Sequence, residues 1–177
     1  MNAFYEELAS AGYARLSLEA VAKRAGAGKA AIYRRWPGKQ AMVVALVSDL
    51  ALASIGIPDT GTLRGDVRQF LVNACEALED PLACRIVPDL LAEAARDAEL
   101  GQALLSAMRT LRRDKAAHVL QRAVERGELA AGSDADLEIG LDLLAGPLYW
   151  RLVVSKEAAD DEYFDRLTDK IIGALRA

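Results

Sequence analysis

The chain has 177 residues, 53% of them hydrophobic and 27% charged, so it is long enough to bury a core and disorder is excluded. Alanine and leucine supply 60 residues against 22 for valine, isoleucine and threonine, and that balance predicts an all-α protein. The net charge of −4 is unevenly divided: residues 1–50 carry seven basic and four acidic side chains, and the remainder carries −7. From Arg15 to Lys39 seven basic residues stand against Glu19 alone, a local +6 suited to phosphates, which the acidic remainder would repel. Charge by itself leaves a solvated basic face as the alternative.

No run of about 18 uncharged apolar residues occurs, and Met1-Asn2-Ala3-Phe4-Tyr5-Glu6-Glu7 lacks a basic stretch followed by an apolar one, so a cytoplasmic protein without membrane association is expected. Cys75 and Cys84 match neither a metal-ligand spacing nor a disulfide framework, and their apolar neighbours predict ordinary buried thiols.

Along the chain, Ser17 precedes Leu18, Val21, Ala22 and Ala25 at helical spacing, which predicts an N-cap and a short helix. Ala25-Gly26-Ala27-Gly28 interrupts it, and a second short helix from Lys29 to about Arg35 stops at Pro37-Gly38. Ile32 is almost the only apolar anchor of that second helix, which therefore reads as presented outward. A further helix opens near Lys39, with Met42, Val43, Leu46, Val47 and Leu50 on one face able to pack beneath the first two. Helix, tight turn, helix with basic and aromatic residues on the second helix is the arrangement that enters a DNA major groove.

At this point a resemblance becomes specific. Gly12-Tyr13, Leu16-Ser17-Leu18-Glu19-Ala20-Val21-Ala22-Lys23-Arg24-Ala25-Gly26 and Ala31-Ile32-Tyr33-Arg34-Arg35-Trp36-Pro37-Gly38-Lys39 resemble the DNA-binding domain of the tetracycline-repressor (TetR) family of bacterial transcription regulators, over roughly residues 3–50. The resemblance implies a three-helix DNA-binding domain over residues 1–53, its helix-turn-helix at about 17–36, opening within the first helix at Asn2-Ala3-Phe4-Tyr5. It implies that Tyr33 and Lys39 grip phosphates, that Ser17 reaches a phosphate besides capping its helix, and that Lys29 donates to a guanine or a phosphate. Ala30 and Ala31 would meet thymine methyls, and Arg34 would add a contact. Trp36 reads as core, and Gly28 stands where the family commonly has a capping Ser or Thr.

Glycines, Pro58 and Asp59 between Ile55 and Gly65 mark a joint, followed by helices expected near 65–79, 82–95, 98–127, 134–155 and 160–176. These form a larger ligand-binding and dimerisation domain over 65–177. In helix 134–155, Leu137, Leu141, Leu144, Leu148 and Leu152 make one stripe, and Ile139, Leu143, Gly146, Trp150 and Val153 make another, about half a turn away. A single-layer domain covers one of these faces, so the second, with Phe164, Leu167 and Ile171 of the last helix, is assigned to a homodimer interface. Gly146-Pro147 should bend the helix. The segment Ala145-Gly146-Pro147-Leu148-Tyr149-Trp150-Arg151-Leu152 is similar to the C-terminal domains of one broad subgroup of the family, whose logic implies a small-molecule effector. Phe70, Met108, Arg112, His118 and Tyr149 are its candidate pocket residues.

His118 has no nucleophile or metal partner at a recognised spacing, and no P-loop or dinucleotide fingerprint occurs, so no enzyme, metal or cofactor is expected. Asp134, Asp136, Asp160, Asp161 and Glu162 sit at helix starts, where acids favour the dipole. The reading is a homodimeric, ligand-responsive transcription regulator, a repressor by resemblance, acting on a palindromic double-stranded operator. The rival is a helical dimer whose first domain binds a protein partner.

Overall fold

The computed structural model describes residues 2–54, 56–132 and 134–176, and the side chains outside 49–55, 108–116, 133–135 and 137. The described residues are helical, with no strand. The helices are α1 (Asn2–Arg15), α2 (Leu18–Arg24), α3 (Lys29–Arg35), α4 (Lys39–Ser54), α5 (Leu63–Glu79), α6 (Ala83–Ala94), α7 (Ala98–Glu125), α8 (Asp134–Leu148), a π-helical turn (Tyr149–Val154) and α9 (Asp161–Leu175).

The first compact unit comprises Met1–Ala51 and Asp80–Met108. Its core gathers Phe4 and Leu8 of α1, Val21 of α2, Ile32 of α3 and Met42, Val43 and Leu46 of α4, together with Ile86, Leu90, Leu100 and Leu104. A fully buried Leu or Phe contributes about 1.5–3 kcal/mol, so α6 and the start of α7 are held here by apolar burial. The expected break after residue 53 placed these two segments with the second domain; the apolar cluster instead draws them to the first. Polar contacts reinforce the packing: the Tyr5 hydroxyl donates to Leu46 O at 2.7 Å. Near the end of α1, Gly12 adopts φ 73°, ψ 164°, and a side chain there would be strained. The next residue, Tyr13, donates its N–H to Asp89 Oδ2 of α6 at 2.8 Å.

The second unit comprises Leu52–Glu79 and Arg109–Ala177. Leu63, Val67 and Leu71 of α5 meet Leu141, Leu144 and Leu148 of α8 and Phe164, Ile171 and Ile172 of α9. The stripe Leu141, Leu144, Leu148 therefore faces this core, with Leu152 half-buried; the side chain of Leu137 lies outside the described residues. Phe164 and Ile171 are 7% and 1% exposed, which corrects their assignment to a dimer surface: the helix spends them on its own unit. Asp160 caps α9 by accepting from Tyr163 N at 2.8 Å, and Arg64 and Arg68 of α5 pair with Asp161, Asp165 and Asp169 along it. Asp66, fully buried, accepts from Thr60 N and Oγ1 at 2.6 and 2.9 Å and from Arg126 Nη2 at 3.1 Å. Glu128 caps α5 by accepting Leu63 N at 2.8 Å. Helix α8 runs through Pro147 and then widens into the π turn, since proline can donate no hydrogen bond to the preceding turn.

Of the two thiols, Cys75 is buried and its pKa is pushed up to about 11 by desolvation and then by Glu79. Cys84 is exposed on α6, against the expectation of burial.

Candidate nucleic-acid interface

Helix α2 starts because Ser17, in extended conformation, offers its Oγ to Ala20 N at 3.3 Å and satisfies one of the first-turn donors. It stops at Ala25, and Gly26, at φ 62°, turns the chain in the left-handed region that glycine tolerates. Helix α3 begins after Gly28, which supplies no side-chain cap, and ends where Trp36 turns extended ahead of Pro37. Ile32 alone of α3 is buried; Lys29, Ala30, Ala31, Tyr33, Arg34 and Arg35 are exposed. Seven residues, a single anchor and a basic outer face make α3 a helix held from behind and open in front. Trp36 packs against the core, with the Arg35 guanidinium 4.6 Å from its ring centre.

Three of the expected DNA contacts converge on one residue. The Tyr33 hydroxyl donates to Glu19 Oε1 at 2.7 Å, Lys29 Nζ lies 3.0 Å from the same oxygen, and Ser17 Oγ donates to Glu19 Oε2 at 3.0 Å. The Tyr33 hydrogen bond, then that of Lys29, brings the Glu19 carboxyl down to about 2, and Glu19 in turn raises the Tyr33 phenol. Glu19 was not among the expected site residues. The sequence signal for it was its isolation, a single acid among seven bases.

Lys39 lies elsewhere. Its ammonium donates to Tyr13 O and Ala14 O, both at 3.2 Å, and sits 4.4 Å from the Tyr13 ring centre, where it closes the C-terminal end of α1. Arg24 is drawn to Glu6 and Glu7 at 3.4 and 2.9 Å. Arg34 and Lys23 remain exposed.

Three of the candidate effector residues have described side chains. Phe70 packs into the core of the second unit, Tyr149 is half-buried and His118 is exposed, while the side chains of Met108 and Arg112 lie outside the described residues. Phe70, His118 and Tyr149 do not border the cleft of about 560 Å³ between Gly146, Pro147, Trp150, Arg151 and Tyr163, or a second of about 320 Å³ between Arg64, Glu128 and Arg176. Helical spacing could not separate Phe70, an ordinary core residue, from a cavity wall. Among the described residues no group of three or more His, Cys, Asp or Glu could hold a metal, and no helix is long and apolar enough to cross a membrane.

Of the second stripe, Ile139 and Trp150 are 58% and 65% exposed, Gly146 is also exposed, and Leu143 and Val153 are half-buried. Val154 extends this face, and Leu167 is half-buried on α9.

Two family models match the chain: "Bacterial regulatory proteins, tetR family" over residues 2–46, and "Tetracyclin repressor-like, C-terminal domain" over residues 57–171. A DNA-binding transcriptional repressor TetR of Mycobacteroides abscessus is 33% identical over 168 residues, covering 93% of this chain and 85% of that protein. The uncharacterised HTH-type transcriptional regulator YdeS of Bacillus subtilis is 26% identical over 176 residues, covering 99% and 86%. The crystal structure of the TetR family transcription regulator SCO0332 superposes with a TM-score of 0.77 at 29% identity, covering 97% of this chain and 93% of that one. Members of this family regulate transcription through a DNA-binding domain and are not enzymes. The outward-facing α3, the helical second unit and these matches agree that the chain belongs to the TetR family of transcriptional regulators.

Proposed function

We propose that the protein is a homodimeric repressor that reads a palindromic operator with α3 of each subunit and leaves it when a small apolar or amphipathic molecule binds the helical domain. The exposure of α3, anchored by Ile32 alone, carries this reading. In it, the first 53 residues form the reading head, which α6 and the start of α7 buttress, and the rest of 65–177 forms the effector and dimerisation domain. Lys29 donates to a guanine edge or a phosphate, Ala30 and Ala31 pack on thymine methyls, Arg34 adds a cationic contact, and Ser17, Tyr33 and Lys39 position the head on the backbone.

The exposed apolar face of Ile139, Trp150 and Val154 supports the dimer, since a face of this composition is stabilised by burial against a second copy. Twofold symmetry in the protein then asks for twofold symmetry in the site. An effector acts only by favouring the conformation with low operator affinity; equal affinity for both conformations moves nothing.

The test is selection of bound fragments from the source genome with the full chain, followed by a search for compounds that release the best fragment. Recovery of an inverted repeat supports the reading. Enrichment no better than random DNA overturns it.

A further inference from the structure

From Arg15 to Lys39 every charged side chain is basic except Glu19, and Glu19 holds three of the groups proposed to meet DNA. Ser17 Oγ, Tyr33 Oη and Lys29 Nζ come from the cap of α2 and from the first and fifth residues of α3, and all three end on the two oxygens of Glu19 at 2.7–3.0 Å. A hydroxyl, a phenol and an ammonium converging on two anionic oxygens form the donor set of a phosphate site, here occupied by the protein's own carboxylate. In the free protein the Tyr33 hydrogen bond, then that of Lys29, holds the Glu19 carboxyl at about 2, so it is ionised at neutral pH. Both partners of the pair are exposed, Lys29 by 63% and Glu19 by 45%, and exposed pairs yield readily to a better acceptor.

A phosphate in an arbitrary duplex offers Lys29 roughly what Glu19 already offers, and it meets the repulsion of that carboxylate. A guanine edge presents O6 and N7 at fixed geometry and adds what Glu19 lacks. Resting on the DNA contacts assigned above, we propose that Glu19 is a specificity-determining residue, which retains Lys29 on arbitrary DNA and surrenders it to an operator whose guanine edge outbids it.

The test compares wild type, Glu19→Gln, Lys29→Ala and the double variant on the best selected fragment and on a scrambled duplex of equal length, between about 50 and 200 mM salt. Glu19→Gln keeps the shape and a carbonyl acceptor for Tyr33 while removing the charge that holds Lys29. It is expected to bind the scrambled duplex about 5–10-fold tighter, with a salt slope steeper by about two, one for each head, and the operator no more than about twofold tighter. In the Lys29→Ala background its effect should shrink to about twofold or less. Glu19→Ala, with both oxygens gone, should give the same order of effects, and circular dichroism confirms that each variant is folded.

Unchanged affinity of Glu19→Gln for the scrambled duplex overturns the proposal, as does an equal effect with and without Lys29. Weakened operator binding also overturns it, since Glu19 would then read a base itself, such as a cytosine amino group. If Lys29→Ala alone changes neither affinity, Lys29 is no DNA contact, and the underlying assignment falls together with the proposal.

Discussion

The Tyr13 N–H donates to Asp89 Oδ2 at 2.8 Å, which ties the end of α1 to α6 across 76 residues of sequence. Asp89→Ala is expected to destabilise the protein by about 1–3 kcal/mol, because a partly buried donor loses a charged acceptor. Asp89→Asn, which keeps an acceptor oxygen, should cost less. Gly12→Ala should cost about 1 kcal/mol or more, since φ is 73° and the new methyl would lie 3.0 Å from Asp89 Oδ1. Chemical denaturation of the full chain measures all three.

Lys39 closes the end of α1, and its proposed phosphate contact is separable from that task. Lys39→Ala should weaken binding to all DNA sequences alike and lower the salt slope by about two, one for each head, with dimerisation unaffected. It should also reduce stability by about 0.3–1 kcal/mol through the lost interaction with the carbonyls of Tyr13 and Ala14. An unchanged salt slope would leave Lys39 with the structural task alone.

Trp150, 65% exposed on the face that also carries Ile139, tests the dimer. Trp150→Glu introduces a charge into the apolar face and should yield monomers in sedimentation velocity, with the helical signal retained. An intact dimer would move the interface off this face.

Asp66 is fully buried, with Arg126 at 3.1 Å and Arg122 at 4.0 Å from its Oδ2. Asp66→Ala leaves two guanidinium groups without their shared partner and frees the Thr60 donors. A loss of about 3 kcal/mol is expected in denaturant unfolding. A change below about 0.5 kcal/mol, the range of ordinary surface substitutions, would contradict the network.

Acid should loosen the second unit. Arg68, then Arg64, lowers the Asp165 pKa, and Arg126, then the Leu63 N–H, lowers that of Glu128. Groups lowered on folding add stability that is complete above the ordinary carboxylate range, about 4, and is lost as pH falls through the folded value. Melting temperature should therefore fall as pH drops below about 4, and Asp165→Asn should flatten that dependence. An unaltered pH profile in the variant would remove Asp165 from the acid response.

Local signals in the chain carried the helices well. Ser17, the Gly26–Gly28 break and Pro37-Gly38 bound α2 and α3 where they were expected, because caps and breakers act within a few residues. Helices expected at 82–95 and 160–176 run Ala83–Ala94 and Asp161–Leu175, within one residue at each end. What depended on distant packing was less legible. The periodicity that made Phe164 and Ile171 apolar says nothing of whether their own unit or a second copy covers them. The attachment of α6 to the first unit turns on Asp89 and Ile86 meeting residues some 40 to 80 positions away. Glu19 stood in plain view as the lone acid, but its grip on Lys29 and Tyr33 exists only once the turn at Gly26 brings α3 alongside α2.

Affinity of the full chain for its best selected fragment across a salt series decides most directly whether this molecule is a twofold reader of DNA. Arg34 and Lys39 on each of two heads would neutralise about four phosphates, and affinity should then fall by about 10²-fold between 50 and 200 mM salt, with two chains bound per site. Affinity that stays flat over that range, or one chain bound per site, would contradict it.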